Sequence, residues 1–518
     1  MNLPIKKLVL LFILLYPSID YYAQTGNSDA NSLGLITENQ EIVDKKIFKN
    51  ASISFYAINL NTNQVIRSIN PHASLIPASS LKLLTTATGL EILGEDFKFQ
   101  TTLRYDGEID AEGTLQGNIY IQGGADPTLG SKMFKKHYYE PNFIKVWVHA
   151  IRDKGIKRIK GAVVGDPHLY DDYQVPATWA VEDLGNDYGA GCGGLSIFDN
   201  IYEVLFISDQ NNKGQPVIFR ISPHLPEEVQ IINKVSQGGD TRNICVYGLP
   251  YQNTRIIQGT VTPKEGSFFV KGSIPDPAYW AAYSLSRELE KHGIKAGLKP
   301  TTIRREKHNF LQKEQIKNES KPSNQIENEE KVENLLTSIH VSYSPALKSI
   351  VAVTNRESNN LYAEHILNHI GLKISGKWDT VSGIKALTDF WHLAGIDTLG
   401  MFLQDGSGLS RYNAITTKHL VEVLCYMRVS NNFDAFYHSL PIAGETGTLK
   451  NLFTKAPLKG NLKAKTGIMR KVLSYTGYCT NIRAEEIAFS LVVNNYHGTP
   501  NEARMEIEKM LTALVNEG

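Results

Sequence analysis

The alternation of apolar and polar residues predicts strands at both ends of the chain. Residues 51–57 alternate in this way, and the apolar runs at 473–479 and 487–494 indicate two neighbouring strands. A final helix is predicted over about 501–515, where apolar side chains recur on one face. Strands near the start and strands with a helix near the end are the elements of an α/β domain.

An apolar helix is predicted to begin near Ser79. Leu81, Leu84 and Thr88 recur at spacings of three and four residues, and Gly94 suits the position just beyond the helix end. The segment is apolar around most of its circumference, which is typical of a helix buried at the centre of a domain.

The middle of the chain, from about residue 97 to 307, has a different pattern. Short strand-like runs separated by turn residues fall at 99–105, 118–122, 161–165, 204–208, 217–221, 229–232 and 255–261. One helix is predicted from Pro277 to about Lys291, with Gly293 after it. We interpret this region as inserted, strand-rich material that forms one or two small domains.

Residues 306–335 differ again, because charged and amide side chains dominate there. Such a composition buries too little apolar surface to offset the cost of ordering, so it predicts a flexible segment. A solvated helix after Gln325 is the alternative. Helical spacing resumes after Pro345 and again over 361–370.

The simplest organisation is one discontinuous domain. Residues 45–96 and 336–518 would build it, and the inserted domains at 97–305 and the flexible segment at 306–335 would interrupt it.

The first 23 residues predict a secretory signal. Lys6 and Lys7 precede the apolar run 8–16, and the small residue Ala23 offers a cleavage site. The apolar run is too short to span a bilayer, which needs about 20 apolar residues. A buried N-terminal helix is the alternative. We expect export to the periplasm, with cleavage near Ala23.

Charge and cysteine usage exclude several classes of function. The chain has 54 basic and 53 acidic side chains, and loss of residues 1–23 would make the two numbers equal. A neutral chain gives no electrostatic reason to bind nucleic acid or an anionic membrane. Cys192, Cys245, Cys425 and Cys479 lie far apart, so both one disulfide and buried free thiols stay open. The histidines form no ligand pattern, and we predict no metal or cofactor.

Three short motifs carry the candidate chemistry: S-x-x-K at 79–82, S-N-N at 358–360 and K-T-G at 465–467. Each alone has an ordinary structural explanation, as a common spacing, a helix cap or a strand end. All three in this order, each near an element boundary, match the set used by serine acyltransferases that act on penicillin and D-alanyl peptides.

Acyl transfer assigns a role to each residue of the first two motifs. Ser79 would attack a carbonyl, and a neutral Lys82 would accept its proton. Burial and the nearby cation Lys465 would lower the pKa of Lys82. Ser358 would relay a proton to the leaving amine, and Asn360 would hold the lysine and the substrate amide.

The third motif would bind the substrate. Lys465 and Thr466 offer a cation and a hydroxyl for a terminal carboxylate, and Gly467 permits close backbone approach. The backbone N–H groups of Ser79 and Ile468 would bind the oxyanion.

With these motifs the chain resembles the class C low-molecular-mass penicillin-binding proteins, which are D-alanyl-D-alanine carboxypeptidases and endopeptidases. Three further segments carry the resemblance: G-A-D-P-T-L at 124–129, D-G-S-G-L-S-R at 405–411, and L-P-I-A-G at 440–444 with G-T-L at 447–449. The resemblance runs from about residue 45 to the C-terminus.

The resemblance implies the fold and the substrate. The fold is a penicillin-binding, serine β-lactamase-like transpeptidase domain, with an antiparallel sheet flanked by helices and a strand-rich two-domain insertion. The substrates are peptidoglycan stem peptides, cut at D-Ala-D-Ala termini or at D-Ala–diaminopimelate cross-links through an acyl-enzyme on Ser79. β-Lactam antibiotics would acylate the same serine. Ile468 stands where related enzymes usually carry serine or threonine, so the preference for the stem-peptide side chain stays open.

The resemblance also implies residues that hold the substrate side chain. Residues 179–183 with Tyr188 look like the element of the insertion that overhangs the cleft in such enzymes. Asp183 would pair with the diaminopimelate ammonium, Tyr188 would pack against the stem, and Arg411 would meet the free carboxylate. Ordinary polar loop residues are the alternative for Asp183 and Tyr188.

Two other functions use a related site. A β-lactamase also needs a residue that activates water for rapid deacylation, but the chain has no convincing E-x-x-L-N segment for that role, and a large insertion suits a peptidase better. A penicillin-binding sensor would form the acyl-enzyme without turning it over, but the complete set of motif residues argues against a degenerate site. A structural envelope protein would explain only the export signal.

Overall fold

The computed structural model describes residues 45–167, 175–207, 215–238, 241–262, 266–308 and 336–517. The chain divides into two compact units, one made of the residues up to Asp96 with Leu347–Gly518, and the other of Phe97–Ala346. The predicted signal at 1–23 and residues 309–335 of the predicted flexible segment lie outside the described residues.

The first unit is built on a five-stranded antiparallel sheet. Its strands lie in the order Lys463–Met469, Val472–Thr480, Glu486–Asn494, Ser52–Asn59, Val65–Ile69. The pairing of Ser52 with Asn494 joins the two ends of the chain in one sheet. The antiparallel sheet that the family resemblance implies is therefore present, and the two C-terminal strands predicted from the pattern are neighbours.

Helices cover both faces of this sheet. Phe55 and Leu491 pack with Ile507 of the C-terminal helix in one buried cluster. On the opposite face, the Ser54 hydroxyl hydrogen-bonds that of Thr417, 2.6 Å away, at the start of another helix. Ser54 is buried although it occupies the polar position of the alternating pattern, because both faces of the strand are covered.

The helices of the first unit are Lys82–Leu93, Leu347–Arg356, Asn360–Ser375, Thr380–Leu393, Thr417–Val429, Phe433–Tyr437 and Pro500–Asn516. The first of them is buried from Lys82 to Leu90, as its apolar circumference predicts, and Gly94 follows its last residue. None of the helices in the described residues is long and apolar enough to cross a membrane.

The described residues of the second unit form four small sheets. Its strands are Gln100–Tyr105, Thr114–Leu115, Ile119–Gly124, Arg158–Ile159, Val163–Asp166, Ile201–Ile207, Val217–Ser222, Gln230–Gln237, Asn243–Tyr247, Thr254–Val261, Ser267–Ser273, Lys295–Ala296, Thr301–Thr302 and Thr337–Tyr343. In the described residues, its helices are Lys135–Tyr139, Phe143–Asp153 and Pro277–Lys291, and residues 303–308 are helical as well. Residues 306–308 are therefore helical, although the sequence predicted that the flexible segment begins at 306. Each strand-like run predicted in this region overlaps one of these strands, and the helix from Pro277 to Lys291 is also present.

The sequence predicted that the chain re-enters the first unit at residue 336, and this boundary is wrong. The strand Thr337–Tyr343 pairs antiparallel with Gln100–Tyr105, so it extends a sheet of the second unit. Residues up to Ala346 belong there, and the first unit resumes at Leu347, where a helix begins.

The cysteines are thiols wherever the structure describes them. No disulfide joins Cys192, Cys245, Cys425 and Cys479 in the described residues. Burial raises the pKa of Cys425 and of Cys479 to about 12, so both are protonated near neutral pH. The sequence left open one disulfide or thiols, and the described structure contains thiols.

Candidate active site

Ser79 lies in a tight turn directly before a buried helix. The 3₁₀ turn Ala78–Leu81 leads into the helix Lys82–Leu93, and Ala78 has a left-handed φ of 46°. Lys82 Nζ donates a hydrogen bond of 2.9 Å to Ser79 Oγ. The spacing of three residues thus brings hydroxyl and amine together, as the sequence predicts.

Lys82 is fully buried and has two further acceptors. Its Nζ donates to Asn360 Oδ1 at 2.5 Å and to the Ser407 carbonyl at 2.6 Å. Burial lowers the pKa of Lys82 to about 7, although the nearby Asp405 and Glu364 act in the opposite direction. A neutral amine in contact with Ser79 is therefore accessible near neutral pH.

A second buried lysine lies at the K-T-G motif. Lys465 Nζ donates to Ser358 Oγ at 2.9 Å and to the Thr466 carbonyl at 2.7 Å. Burial, together with the positive charge of Lys82, lowers the pKa of Lys465 well below its ordinary value. The site therefore disfavours two full positive charges at once.

All three residues of the S-N-N motif have distinct contacts. Ser358 has a φ of 59° and its hydroxyl meets Lys465, whereas Asn360 meets Lys82. Asn359 caps the helix Asn360–Ser375, because its side chain accepts from Tyr362 N at 3.0 Å. The motif is thus a helix cap and a set of polar contacts simultaneously.

The K-T-G motif lies on Lys463–Met469, an edge strand of the sheet. Ala464 N donates to the Pro441 carbonyl at 3.0 Å, on the side away from the neighbouring strand. Because backbone groups alternate along a strand, those of Thr466 and Ile468 face the same way. This alternation directs the backbone N–H of Ile468 away from the sheet. The Ile468 side chain is 51% exposed.

Gly467 allows this strand to approach the Ser79 turn. A Cβ at Gly467 would lie 2.5 Å from the Pro77 carbonyl oxygen and 3.0 Å from Ser79 N. Ser474 Oγ donates to the Pro77 carbonyl at 2.6 Å and so stabilises the same turn. Only glycine permits this close approach.

Two buried carboxylates organise the D-G-S-G-L-S-R loop. Asp405 accepts from Gly408 N at 2.8 Å and from Ser410 N at 2.6 Å. Glu364 accepts from Ser407 N at 2.8 Å. The loop therefore presents the Ser407 carbonyl to Lys82. The loop was recognised in the sequence as a family segment, but Ser407 and Glu364 were not predicted to belong to the site.

Thr448 is a third residue of the site, after Ser407 and Glu364, that was not predicted from the sequence. It lies in the short turn Gly447–Leu449, and its hydroxyl accepts from the Thr466 hydroxyl at 2.8 Å. The G-T-L segment therefore contacts the K-T-G motif directly.

The residues predicted to hold the substrate side chain are divided between the units. In the second unit, the Tyr188 hydroxyl donates to Asp183 Oδ1 at 3.1 Å, and Asp183 is buried whereas Tyr188 is 45% exposed. Burial and the charge of Asp183 raise the pKa of the Tyr188 hydroxyl. Arg411 belongs to the first unit and is exposed. Their roles as substrate contacts stay predictions.

A metal centre is not found in the part of the chain that the structure describes. No group of three or more His, Cys, Asp or Glu side chains there is arranged to hold a metal ion.

Comparison with known proteins places this site in a family context. The D-alanyl-D-alanine carboxypeptidase DacB of Haemophilus influenzae is 23% identical to this chain, over 87% of either chain. The D-alanyl-D-alanine carboxypeptidase of Actinomadura sp. is 25% identical, over 96% of this chain and 88% of its own length.

Solved structures show the same fold. The crystal structure of penicillin binding protein 4 (dacB) of Haemophilus influenzae matches with a TM-score of 0.73 at 24% identity, over 92% of this chain and 98% of its own. The same protein complexed with a β-lactam matches with a TM-score of 0.69 at 22% identity, over 93% and 99% of the two chains. The penicillin-binding fold expected from the motifs is confirmed.

A family model covers nearly the whole chain. The model described as the D-Ala-D-Ala carboxypeptidase 3 (S13) family matches residues 39–517. The chain belongs to the D-Ala-D-Ala carboxypeptidase 3 (S13) family, in agreement with the low-molecular-mass penicillin-binding protein that its motifs predict.

Proposed function

We propose that this protein is a serine D,D-peptidase that cleaves peptidoglycan stem peptides through an acyl-enzyme on Ser79. The observation that carries the proposal is the 2.9 Å contact between Lys82 Nζ and Ser79 Oγ, in a site where burial lowers the pKa of the lysine to about 7. Family membership and the D-alanyl-D-alanine carboxypeptidase relatives support the substrate class.

Acylation begins with proton transfer from Ser79 to Lys82. As the Ser79 hydroxyl loses its proton to the neutral amine, its Oγ forms a bond to the carbonyl carbon of the penultimate D-Ala. The carbonyl oxygen becomes an oxyanion, which accepts hydrogen bonds from the backbone N–H groups of Ser79 and Ile468. The isoleucine side chain leaves this backbone donor available.

Collapse of the tetrahedral intermediate releases the terminal D-Ala. The C–N bond breaks, the leaving nitrogen takes a proton from the Ser358 hydroxyl, and Lys465, 2.9 Å away, replaces that proton. The ammonium of Lys465 and the Thr466 hydroxyl bind the substrate carboxylate, whose negative charge favours the protonated lysine. Water then attacks the acyl carbonyl carbon and gives a proton through the Ser358 hydroxyl to Lys465, which the previous step left neutral. The ester C–O bond breaks, and Lys82 returns its proton to Ser79 Oγ.

The same site accommodates two kinds of peptide bond. A D-Ala-D-Ala terminus gives carboxypeptidase activity, and a D-Ala–diaminopimelate cross-link gives endopeptidase activity. Asp183 pairs with the diaminopimelate ammonium and Tyr188 packs against the stem, while Arg411 meets a free carboxylate. The hydrogen bond of 3.1 Å from Tyr188 to Asp183 supports a joint role for these two side chains.

β-Lactam antibiotics are substrates that remain on the serine. Attack of Ser79 on the β-lactam carbonyl opens the ring and leaves a penicilloyl ester on Oγ. The β-lactam complex of the Haemophilus influenzae protein with the same fold supports this expectation.

The protein acts in the periplasm after loss of residues 1–23. The basic residues and apolar run at the start of the chain support export, and the peptidoglycan substrate lies outside the cytoplasm. The catalytic domain is discontinuous, and it consists of residues 45–96 and 347–518.

Labelling with a fluorescent penicillin tests the proposal. The native protein is expected to become labelled and Ser79→Ala is not, because the ester forms on the missing oxygen. Undiminished labelling of the alanine variant would overturn the assignment of Ser79. A second assay compares release of D-Ala from a pentapeptide with turnover of nitrocefin. Release of D-Ala indicates a peptidase, and fast nitrocefin hydrolysis without D-Ala release indicates a β-lactamase. Labelling with neither activity indicates a sensor that does not turn over.

A further inference from the structure

Glu364 is a fully buried carboxylate on the helix that also carries Asn360. The two residues are four positions apart, so they lie on one face of the helix Asn360–Ser375. Asn360 Oδ1 accepts from Lys82 Nζ at 2.5 Å. Glu364 accepts from Gly406 N at 3.0 Å and from Ser407 N at 2.8 Å. One helix face therefore contacts both the lysine and the loop beside it.

The Ser407 backbone links Glu364 to Lys82. Its N–H donates to Glu364, and its carbonyl accepts from Lys82 Nζ at 2.6 Å. The backbone of Gly406 and Ser407 is buried, and an unpaired N–H in such a place is costly. Glu364 thus fixes the orientation of the residue whose carbonyl binds the lysine.

Two acceptors around Lys82 determine where its lone pair points. A neutral amine has two N–H donors and one lone pair. Asn360 Oδ1 and the Ser407 carbonyl only accept, so they take both donors. The remaining direction, toward Ser79 Oγ at 2.9 Å, is the lone pair that a general base needs.

We propose that Glu364 is a positioning residue for acylation, which holds the Ser407 carbonyl against Lys82 so that the amine lone pair faces Ser79. The inference rests on the proposed function and deepens it, because it names what orients the base. It assigns to Glu364 no contact with substrate.

The charges around this residue define its effect on the lysine. Asp405 from the loop faces Glu364, and with burial it raises the pKa of Glu364 to about 8. Both carboxylates act on Lys82 and favour its charged form, while Lys465 is the neighbouring cation. With a pKa of about 8, Glu364 is mostly protonated near pH 7, where Lys82 titrates, so a change from glutamate to glutamine is expected to leave the pKa of Lys82 close to its native value.

The test compares Glu364→Leu with Glu364→Gln. The leucine removes the acceptor of the Ser407 N–H, and it is expected to acylate about 100-fold more slowly, as for a misplaced catalytic group. The glutamine keeps an oxygen that can accept from Ser407 N, so it is expected to acylate within about 3-fold of the native rate with an unmoved acid limb. The rate of acylation by a fluorescent penicillin is measured against pH for each variant and for the native protein.

Thr85→Val is the control for the loop. Thr85 Oγ1 donates to the Gly406 carbonyl at 2.7 Å, so its loss weakens the same loop without touching Ser407 or Lys82. This variant is expected to stay within about 3-fold of the native acylation rate, because both acceptors of Lys82 stay in place.

Two further measurements keep the outcomes separable. If Glu364→Leu does not fold, Glu364→Asp is used, which keeps the carboxyl group but withdraws it from the loop, and slower acylation than native is expected. The titration of Lys82, followed by NMR of lysine labelled at Nζ, is expected to stay near pH 7 in Glu364→Gln whether or not penicillin reacts. Absence of Ser79-dependent labelling in the native protein would overturn the proposed function alone. A native acylation rate in Glu364→Leu, or in Glu364→Asp where the leucine variant does not fold, would overturn the role of Glu364.

Discussion

The amine of Lys465 donates a 2.9 Å hydrogen bond to the hydroxyl of Ser358, a residue 107 positions earlier in the chain. The K-T-G and S-N-N motifs therefore meet directly at a side-chain contact. On the other side of the motif, Asn360 reaches Lys82. The S-N-N motif therefore contacts both buried lysines, Lys465 through Ser358 and Lys82 through Asn360, and so brings the three motifs together.

Acylation is expected to depend on pH through Lys82. Its amine must be neutral to accept a proton, and its pKa of about 7 means that the neutral fraction grows as pH rises through about 7. The acylation rate should therefore show an acid limb centred near pH 7. Stopped-flow measurement of β-lactam acylation across pH checks this, with circular dichroism to show that the fold persists. A limb centred at the ordinary lysine value of 10.5 would contradict the effect of burial.

Lys82→Met is expected to abolish acylation and to leave the protein at least as stable as the native one. Methionine fills a similar volume and removes an amine that burial makes costly to charge. Because the folded-state pKa lies below the unfolded value of 10.5, the native protein loses stability as pH falls from about 10 toward 7, and the variant escapes this loss. At pH 7 a gain of about 1–3 kcal/mol is expected, reduced by the acceptors that lose their donor.

Denaturant unfolding at pH 7 and pH 10, together with penicillin labelling, checks this prediction. The stability difference between variant and native protein should shrink at pH 10. Acylation at the native rate would remove Lys82 from the mechanism.

The sequence predicted the elements with long, regular patterns. The buried helix after Ser79, the helix from Pro277 to Lys291 and the C-terminal helix all appear where periodicity and caps indicated them. The helices Thr380–Leu393 and Thr417–Val429 were not predicted. Local patterns also misplaced the return to the first unit, because the pairing of Thr337–Tyr343 with a strand far earlier in the chain depends on tertiary structure.

The site could be predicted as a set of motifs but not as a network. Residue type and order in the sequence identify Ser79, Lys82, Ser358 and Asn360. They do not identify Glu364, because a glutamate within a helix looks like an ordinary surface residue until the loop that it binds is known. The sequence predicted that burial and the charge of Lys465 would together lower the pKa of Lys82, and this was only partly right. Burial dominates at Lys82, and the repulsion between the lysines appears as a lowered pKa of Lys465.

Gly467→Ala is expected to impair acylation. The new Cβ would lie 2.5 Å from the Pro77 carbonyl oxygen and 3.0 Å from Ser79 N, and backbone atoms cannot yield as a flexible side chain does. The edge strand must move away from the Ser79 turn, so we expect about 10- to 100-fold slower acylation and a loss of about 1–3 kcal/mol in stability. Penicillin acylation rates and thermal unfolding measure the two effects.

Gly193→Ala is the matched control, because a Cβ there would meet no heavy atom within 4 Å. It should acylate and unfold as the native protein does. A Gly467→Ala protein with the native acylation rate would show that close approach of the strand is dispensable.

Thr448 is expected to tune carboxylate binding through Thr466. The Thr466 hydroxyl donates to the Thr448 hydroxyl at 2.8 Å. When Thr466 gives its one proton to a substrate carboxylate, it can accept the proton of Thr448 instead, so this contact holds the Thr466 side chain in both states. In Thr448→Val the partly buried Thr466 hydroxyl loses this partner, at a cost of about 1 kcal/mol, or about 5-fold in KM for a D-Ala-D-Ala peptide. The value of kcat should change less, because neither Ser79 nor Lys82 is touched. Thr448→Ser keeps the hydroxyl and should behave as the native protein does. Equal losses in the valine and serine variants would mean that the threonine methyl group, and not the hydrogen bond, is what matters.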